Sequence, residues 1–527
     1  MKTITKVGLA VLSGLLIAAA WPVRGLVPLA FVAFVPLLYL EDKDYSFGIS
    51  SIAFLIWNAL TTWWVWKTTA IGTISMIVLN SLFMTTVFWA YHFVKTRLYD
   101  NKKGYYILII FVLAFEYLHL NWQINWPWLN LGNVFSHYHS WIQWYEFTGI
   151  AGGSLWVLAA NILIYKFLLA SFRPQRSGAE KSPLFYSIII ICVLFIPLII
   201  SKIQYHCYTE QGSDVEIIVV QPNLDPYTEE FALNPRQIMD RNLSVAAPLV
   251  TENTRFVVSP ESAIQENIWL ERIDKYYSIN ELRRFIDRYP QTCYVIGISA
   301  YGEAPEGSEN DFAARRFMNI DKCFYAYNTA TLITKDSIQI YHKSKLTPGA
   351  EAMPSWWFMR MLKDSALDLG GTVGTLKKDS EAKVLSFDNH KVGTLICYES
   401  VFGGYVTEFV KKGADMLFVI TNDGWWGNSP GHKQHLEFSK LRAIETRRSV
   451  ARSANTGISG FINQRGDIIE QSKYWEQTAL RHTIKTNDKQ TFYVRYGDYI
   501  YKIAVFLTAL LVAMTIVKLI LKKGWKH

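Results

Sequence analysis

The sequence predicts two fold classes in one chain: a polytopic α-helical membrane domain of about eight spans, and an α/β domain set between the last two of them. Three observations predict this. Apolar runs crowd residues 1–201 and return at 498–521. Basic residues flank those runs on one side far more than on the other. Between about 214 and 490 the pattern changes to short β-branched runs that alternate with helix-like stretches.

The apolar runs lie near 7–21, 26–40, 47–66, 70–94, 104–120, 141–169, 183–201 and 498–521. A bilayer needs about 20 apolar residues per helix, so the first two are short. They flank Pro22 and Gly25, as a tight helical hairpin would. A cleaved signal peptide is the rival reading of Lys2 to Trp21, with its basic start and Ala18-Ala19-Ala20 near the end. The apolar run that follows at once favours an uncleaved span.

With the N-terminus inside, the inner segments hold Lys2, Lys6, Lys43, Lys95, Arg97, Lys102, Lys103, Arg173, Arg176, Lys181, Lys518, Lys522, Lys523 and Lys526. The outer short loops hold little beyond Arg24 and Lys67. This asymmetry places residues 202–497 on the far side from the cytoplasm, tethered at both ends. The expected boundaries are therefore 1–201 for seven membrane helices, 202–497 for an extracytoplasmic domain, and 498–527 for an eighth helix with a basic cytoplasmic tail. The net charge of +9 belongs to these membrane-flanking clusters. No zinc-finger spacing and no base-reading basic helix is present, which argues against a nucleic-acid partner. The outer loop Asn125-Trp126-Pro127-Trp128-Leu129-Asn130-Leu131-Gly132 reads as an interfacial anchor or as part of a lipid-facing mouth. Glu116 and Glu146 lie within or beside spans and take no assigned role.

In the α/β region, strands are expected at 215–220, 255–258, 293–299, 327–334, 337–341, 391–396, 416–421 and 459–463, and helices at 237–250, 271–289, 401–412 and 432–448. Residues 302–316 read as a loop. The five cysteines, at 192, 207, 293, 323 and 397, form no CxxC pair, so no structural metal is expected. A Cys293–Cys323 disulfide stays open.

Three strand ends carry the chemistry. Val258-Ser259-Pro260-Glu261 ends in a carboxylate, Tyr341-His342-Lys343-Ser344-Lys345 in an amine, and Leu395-Ile396-Cys397-Tyr398-Glu399 in a thiol. Acyl transfer through a thiol needs a nucleophile, a base and a positive group where oxyanion charge develops. Cys397, Glu261 and Lys343 can supply these, with the Tyr398 N–H as a second oxyanion donor. Lys345 competes with Lys343. Each residue alone also has a packing or surface reading: a buried small side chain, a helix N-terminal acid, a solvated lysine.

The wording around all three resembles the Glu-Lys-Cys signature of the carbon–nitrogen hydrolase (nitrilase) superfamily, through Pro260-Glu261, then Tyr341-His342-Lys343 to Pro348-Gly349-Ala350-Glu351, then Ile396-Cys397-Tyr398-Glu399. With the spans, the Trp-Pro-Trp-Leu-Asn-Leu-Gly loop, Thr421-Asn422-Asp423-Gly424-Trp425-Trp426-Gly427, Gln434-His435 and Arg452-Ser453-Ala454-Asn455-Thr456-Gly457, nearly the whole chain resembles the apolipoprotein N-acyltransferase family. The resemblance implies an α-β-β-α sandwich in the inserted domain. It implies a two-step exchange in a bacterial cytoplasmic (inner) membrane, with the catalytic domain on the periplasmic side and no cofactor or metal. Cys397 takes an acyl chain from a phospholipid donor as a thioester. The α-amine of a diacylglyceryl-cysteine lipoprotein then accepts it. Glu261 is then the base and Lys343 the oxyanion partner; Glu351, Tyr398 and Glu399 support them, and Trp425 lies near the acyl entry. Trp425 and Trp426 equally suit a core or interfacial role, and Tyr227 and Phe231 compete for one aromatic position. Two departures concern local loops: Pro-Gly-Ala-Glu stands where the family commonly has Pro-Phe-Gly-Glu, and Pro222 stands where it commonly has Gly. A membrane-bound amidase with water as acceptor, and a non-catalytic receptor or transporter, are the alternatives. The scarcity of charge within the spans and the lack of paired broken helices weigh against transport.

Overall fold

A computed structural model describes residues 1–21, 23, 25–99, 103–172, 182–317, 322–353 and 375–524. Pro22 and the loop charges Arg24, Lys102, Arg173, Arg176, Lys181 and Lys526 lie outside them. The chain divides into two compact units, Met1–Tyr208 with Tyr496–His527, and Thr209–Arg495.

In the first unit, six helices among the described residues are long and apolar enough to cross a membrane: Thr3–Ala20, Phe47–Lys67, Ala70–Tyr99, Ile150–Phe172, Pro183–Cys207 and Tyr499–Lys522. Tyr106–Asn121 is a shorter apolar helix. The expected span at 26–40 is broken. It forms a 3-10 turn at Val27–Phe31 and then a separate helix, Val35–Asp44. Pro36 lacks an N–H, and its ring would clash with the carbonyl one turn back, so no single helix runs through. The run at 141–169 becomes a continuous helix only at Ile150, because Gly149 turns the chain at φ +59° after the short helix Tyr145–Thr148.

Lys95, expected among the inner loop charges, is instead fully buried on the Ala70–Tyr99 helix. Its ammonium meets Glu41 and Asp42 at 2.5 Å each, and Tyr165 donates to Asp42 at 2.7 Å. An ion left unpaired there would cost several kcal/mol. The Trp-rich loop is no surface anchor at its centre. Trp128 is buried, stacked on Trp126 at 5.6 Å and tilted on Trp64 at 5.0 Å. Glu116 accepts the Leu131 N–H at 2.6 Å and the Tyr501 hydroxyl at 2.9 Å, tying this loop to the last helix.

The second unit is a four-layer α-β-β-α sandwich. Its strands are β1 (Asp214–Gln221), β2 (Thr254–Val258), β3 (Ile264–Trp269), β4 (Cys293–Glu303), β5 (Arg315–Arg316), β6 (Cys323–Ile333), β7 (Ile338–His342), β8 (Leu385–Phe387), β9 (His390–Ile396), β10 (Met416–Thr421), β11 (Val450–Ala454), β12 (Gly460–Ile462), β13 (Ile468–Gln471) and β14 (Thr478–Lys485). The first sheet runs β14-β1-β2-β4-β6-β5, with β3 on β4 and β7 on β6; the second runs β13-β12-β11-β10-β9-β8. Alternation along β1 explains the layering. Val215, Ile217 and Val219 face the core shared with Leu395, Phe418 and Ile420 of the second sheet. Ile218 and Val220 face Met239, Ile279 and Leu282 of the outer helices Pro235–Ala246 and Tyr277–Arg288. The helices Gly403–Lys411 and Pro430–Thr446 cover the second sheet, through Phe409 and Ala443 among others.

Most expected elements are present within a few residues. The expected helix at 271–289 is a 3-10 turn, Leu270–Lys275, followed by Tyr277–Arg288. Residues 302–316 include the end of β4 and the two residues of β5. Cys293 and Cys323 are both free, so no disulfide joins them.

Candidate active site

The three strand ends converge. Glu261 follows β2, where the Ser259 N–H donates to the Val295 carbonyl at 2.8 Å and the Gly297 N–H to the Pro260 carbonyl at 3.0 Å. Lys343 follows β7, and its own N–H donates to the Asn328 carbonyl at 2.8 Å. The Lys343 ammonium lies 2.9 Å from Glu261 Oε1 and 2.8 Å from Glu351 Oε1. Asn328 Nδ2 donates to the same two oxygens, at 2.8 and 2.9 Å. The Asn422 N–H donates to Glu261 Oε2 at 3.1 Å, and the Thr347 N–H to Glu351 Oε2 at 2.8 Å. Two carboxylates thus share one ammonium and one amide. Burial works against the Lys343 charge, yet Glu261 and Glu351 outweigh it and hold the ammonium well above the usual lysine range. For Glu351, burial opposes ionisation, but Lys343 prevails and lowers its pKa.

Lys345 is placed differently. Its ammonium lies over the Phe402 and Tyr405 rings, 5.3 and 5.5 Å from their centroids.

Cys397 sits where β9 turns into the 3-10 helix Cys397–Val401, at φ +50°. A non-glycine residue in that region is strained and is held there by its surroundings. Burial raises the thiol pKa well above its usual value; Glu261 adds to the rise and Lys343 opposes it. The resting group is therefore a thiol, which needs a base to become a nucleophile.

Glu399 anchors the turn. Its Oε1 accepts from the Tyr341 hydroxyl at 2.6 Å and from the N–H groups of Ser344 and Lys345 at 2.7 and 3.2 Å, while Oε2 accepts from the Ile396 N–H at 2.9 Å. It thereby fixes the lysine loop to the cysteine turn. Tyr398 is buried and packs edge-on to Phe402 at 5.1 Å. Trp425 packs edge-on to Tyr227 at 5.1 Å, and Tyr227 donates its hydroxyl to the Trp425 carbonyl at 2.9 Å. Phe231, on the same loop as Tyr227, is half exposed.

Behind Cys397, side-chain donor atoms of Cys397, Asp423 and His435 lie within 4.8 Å of one another. The residue types would suit a metal, but Asp423 is already committed. Its Oδ1 accepts from Thr421 and His435 at 2.7 and 2.9 Å, and its Oδ2 from the Arg452 guanidinium at 2.5 Å. A fixed cation beside the donor set disfavours a second one.

The Apolipoprotein N-acyltransferase N-terminal domain model matches residues 13–163, and the Carbon-nitrogen hydrolase model matches residues 235–492. The chain is similar to apolipoprotein N-acyltransferases over nearly its whole length. Among its relatives is the apolipoprotein N-acyltransferase of Chlorobaculum tepidum, 28% identical over 97% of this chain and 96% of that one. That of Geobacter metallireducens is 26% identical over 93% of this chain and 91% of that one. An amidase from Nesterenkonia sp. is a weaker structural neighbour, with TM-score 0.36 and 18% identity over 53% of this chain and 93% of that one.

Several residues of this site carry no mark in the sequence. Asn328 bridges the two acids from mid-strand in β6, and nothing in Tyr327-Asn328-Thr329 marks it. Glu230 is buried; it accepts from Asn422 Nδ2 at 2.7 Å and Gln265 Nε2 at 3.3 Å. Burial, with Glu261 nearby, pushes its pKa up to about 8.

Proposed function

We propose that the protein is a phospholipid:apolipoprotein N-acyltransferase, a membrane enzyme whose Cys397 carries the acyl chain as a thioester. The observation that carries this reading is the Lys343 ammonium held between Glu261 and Glu351 and electrostatically coupled to Cys397. In the first step Glu261 takes the thiol proton as Cys397 Sγ attacks the sn-1 ester carbonyl. The S–C bond forms, the ester C–O bond breaks, and the proton passes to the departing lysophospholipid oxygen. In the second step the α-amine of an S-diacylglyceryl-cysteine attacks the thioester. The N–C bond forms, the C–S bond breaks, and the amine proton returns through Glu261 to the thiolate. Lys343 and the Tyr398 N–H stabilise the oxyanion in both steps, which is where such donors have their largest effect. Glu351 positions Lys343, Glu399 positions the turn, and Trp425 lines the acyl entry.

Bacterial cytoplasmic-membrane placement with the Thr209–Arg495 unit on the periplasmic side suits this chemistry. Both substrates are lipids held at one bilayer surface, and a tethered site meets them without moving them through water.

Intact-mass analysis after incubation with phospholipid tests the reading. An acyl adduct that hydroxylamine removes is expected on the parent and not on Cys397→Ala. A diacylglyceryl-cysteine peptide is expected to discharge it much faster than water does. Discharge by water at the same rate would make the protein a hydrolase, and no adduct at all would end the thioester reading.

A further inference from the structure

We propose that His435 and Asp423 are positioning residues that hold the Cys397–Tyr398 peptide so that its N–H is aimed at the oxyanion. The proposal rests on the acyl-transfer reading above and names the parts that set its oxyanion donor.

A peptide unit is planar, and its C=O and N–H point in opposite directions. Whatever fixes the Cys397 carbonyl therefore fixes the Tyr398 N–H. Two donors converge on that carbonyl: the Ser400 hydroxyl at 2.7 Å and His435 Nε2 at 3.1 Å. The two donors also touch each other, with Ser400 Oγ 2.8 Å from His435 Nε2. On the far side of the ring, Nδ1 lies 2.9 Å from Asp423 Oδ1 and 3.1 Å from Arg452 Nη2. The ring thus bridges the Cys397 carbonyl on one side and the Asp423–Arg452 pair on the other.

Asp423 is itself held by two strands. Thr421, at the end of β10, donates to it at 2.7 Å, and Arg452, on β11, donates at 2.5 Å. Burial opposes its charge, but Arg452 and His435 outweigh burial and keep the carboxyl well below its usual range. Asp423, His435 and Arg452 are all fully buried. The peptide after β9 is thereby tied to the two neighbouring strands of its sheet, whose order is β9-β10-β11. This tie offsets the strain of the Cys397 turn at φ +50°. A donor on the carbonyl also polarises the peptide and strengthens its N–H as a donor. None of these side chains needs to touch the substrate; they act through the backbone of the nucleophile.

The test uses the full-length protein in detergent, with phosphatidylethanolamine labelled with ¹³C at the acyl carbonyl and a diacylglyceryl-cysteine peptide as acceptor. His435→Ala is expected to slow acylation and peptide-dependent deacylation together, by about 10²-fold in kcat, the effect of losing an oxyanion donor. KM for either substrate should stay within about twofold. Ser400→Ala, which removes one donor and leaves the ring, should lose less. Asp423→Asn, which keeps the shape and drops the charge, should fall between them. In the trapped acyl-enzyme, the infrared band of the labelled thioester carbonyl should move to higher frequency in each variant, because the oxyanion donor polarises it less. If His435→Ala does not fold, Ser400→Ala and Asp423→Asn decide alone. Unchanged rates with an unmoved band, or a change confined to KM, would overturn the proposal. If the parent itself forms no adduct, the acyl-transfer reading has failed first, which is a separate result.

Discussion

At the residue scale, one ammonium is asked to serve two carboxylates. The Lys343 side chain is only 2% exposed, so removing it leaves Glu261 and Glu351 facing each other with no counter-charge. Lys343→Ala should therefore lower the rate of adduct formation by at least about 10²-fold, while Lys345→Ala, whose ammonium lies over two rings elsewhere, should stay within about threefold of the parent. The reverse result, read by intact mass against time, would mean that the lysines have exchanged roles. The sequence left these two lysines open, because both follow the same strand and only the register of β7 separates them. Glu230 was not legible at all. It stands beside Glu229 in a polar stretch, and only tertiary burial distinguishes the two. Its raised pKa fixes the sign of a pH effect. A carboxyl at about 8 in the folded chain, against an ordinary value of 4.5, binds its proton more tightly when folded. Stability then falls as pH rises from about 4.5 to about 8. Glu399, raised by burial to about 7, acts with the same sign up to that pH. From about pH 7 to 8 Glu230 carries the larger part of this fall, with a slope of about 1 kcal/mol per pH unit. Glu230→Gln should flatten that interval in melting curves taken at each pH, and an unchanged slope would show that the carboxyl titrates lower.

At the element scale, the site depends on backbones that approach closely. A Cβ added at Gly297 in β4 would lie 2.6 Å from Glu261 Cα and 2.7 Å from the Pro260 carbonyl oxygen. Both neighbours are main chain and cannot rotate away, so Gly297→Ala must push the Pro260–Glu261 segment off β4. Overpacking of this kind costs about 1–3 kcal/mol, and a base displaced by even 1 Å should slow acylation by about 10²-fold. Single-turnover acylation and a melting curve read the two effects; full activity would show that Glu261 tolerates the shift. Sequence patterning found most strands because their β-branched runs are continuous. It missed β11, Val-Ala-Arg-Ser-Ala, because an arginine seldom sits mid-strand in a buried sheet. Asp423 makes it tolerable by pairing with Arg452. It missed β14 as well, where the alternation Arg481-His482-Thr483 reads as a polar surface until its eight-residue pairing with β1 is seen. The broken second run was hidden for a different reason: hydropathy counts apolar residues, and proline is felt only through the backbone.

At the scale of the whole molecule, the distribution of charge carries the topology. Lys95, which would have counted as a loop charge, is buried with Glu41 and Asp42, so it adds nothing to the cytoplasmic bias. Lys2, Lys6, Lys43, Lys103, Lys518 and Lys522 still cluster at one set of helix ends, and the short loops of the other set hold little beyond Lys67. A bias that survives the loss of one member predicts a definite sidedness. Glu306 is exposed in the Thr209–Arg495 unit, and Lys522 lies at the end of the last helix. With the native cysteines replaced, a cysteine introduced at Glu306 should react with a membrane-impermeant maleimide in intact spheroplasts. One introduced at Lys522 should react only after permeabilisation. The opposite pattern would put the Cys397 site in the cytoplasm. Because the expected acceptor is a lipoprotein anchored on the outer face, that outcome would remove the acceptor from reach and leave the thioester with water as its partner. Sidedness is therefore a test of the second half-reaction as much as of topology.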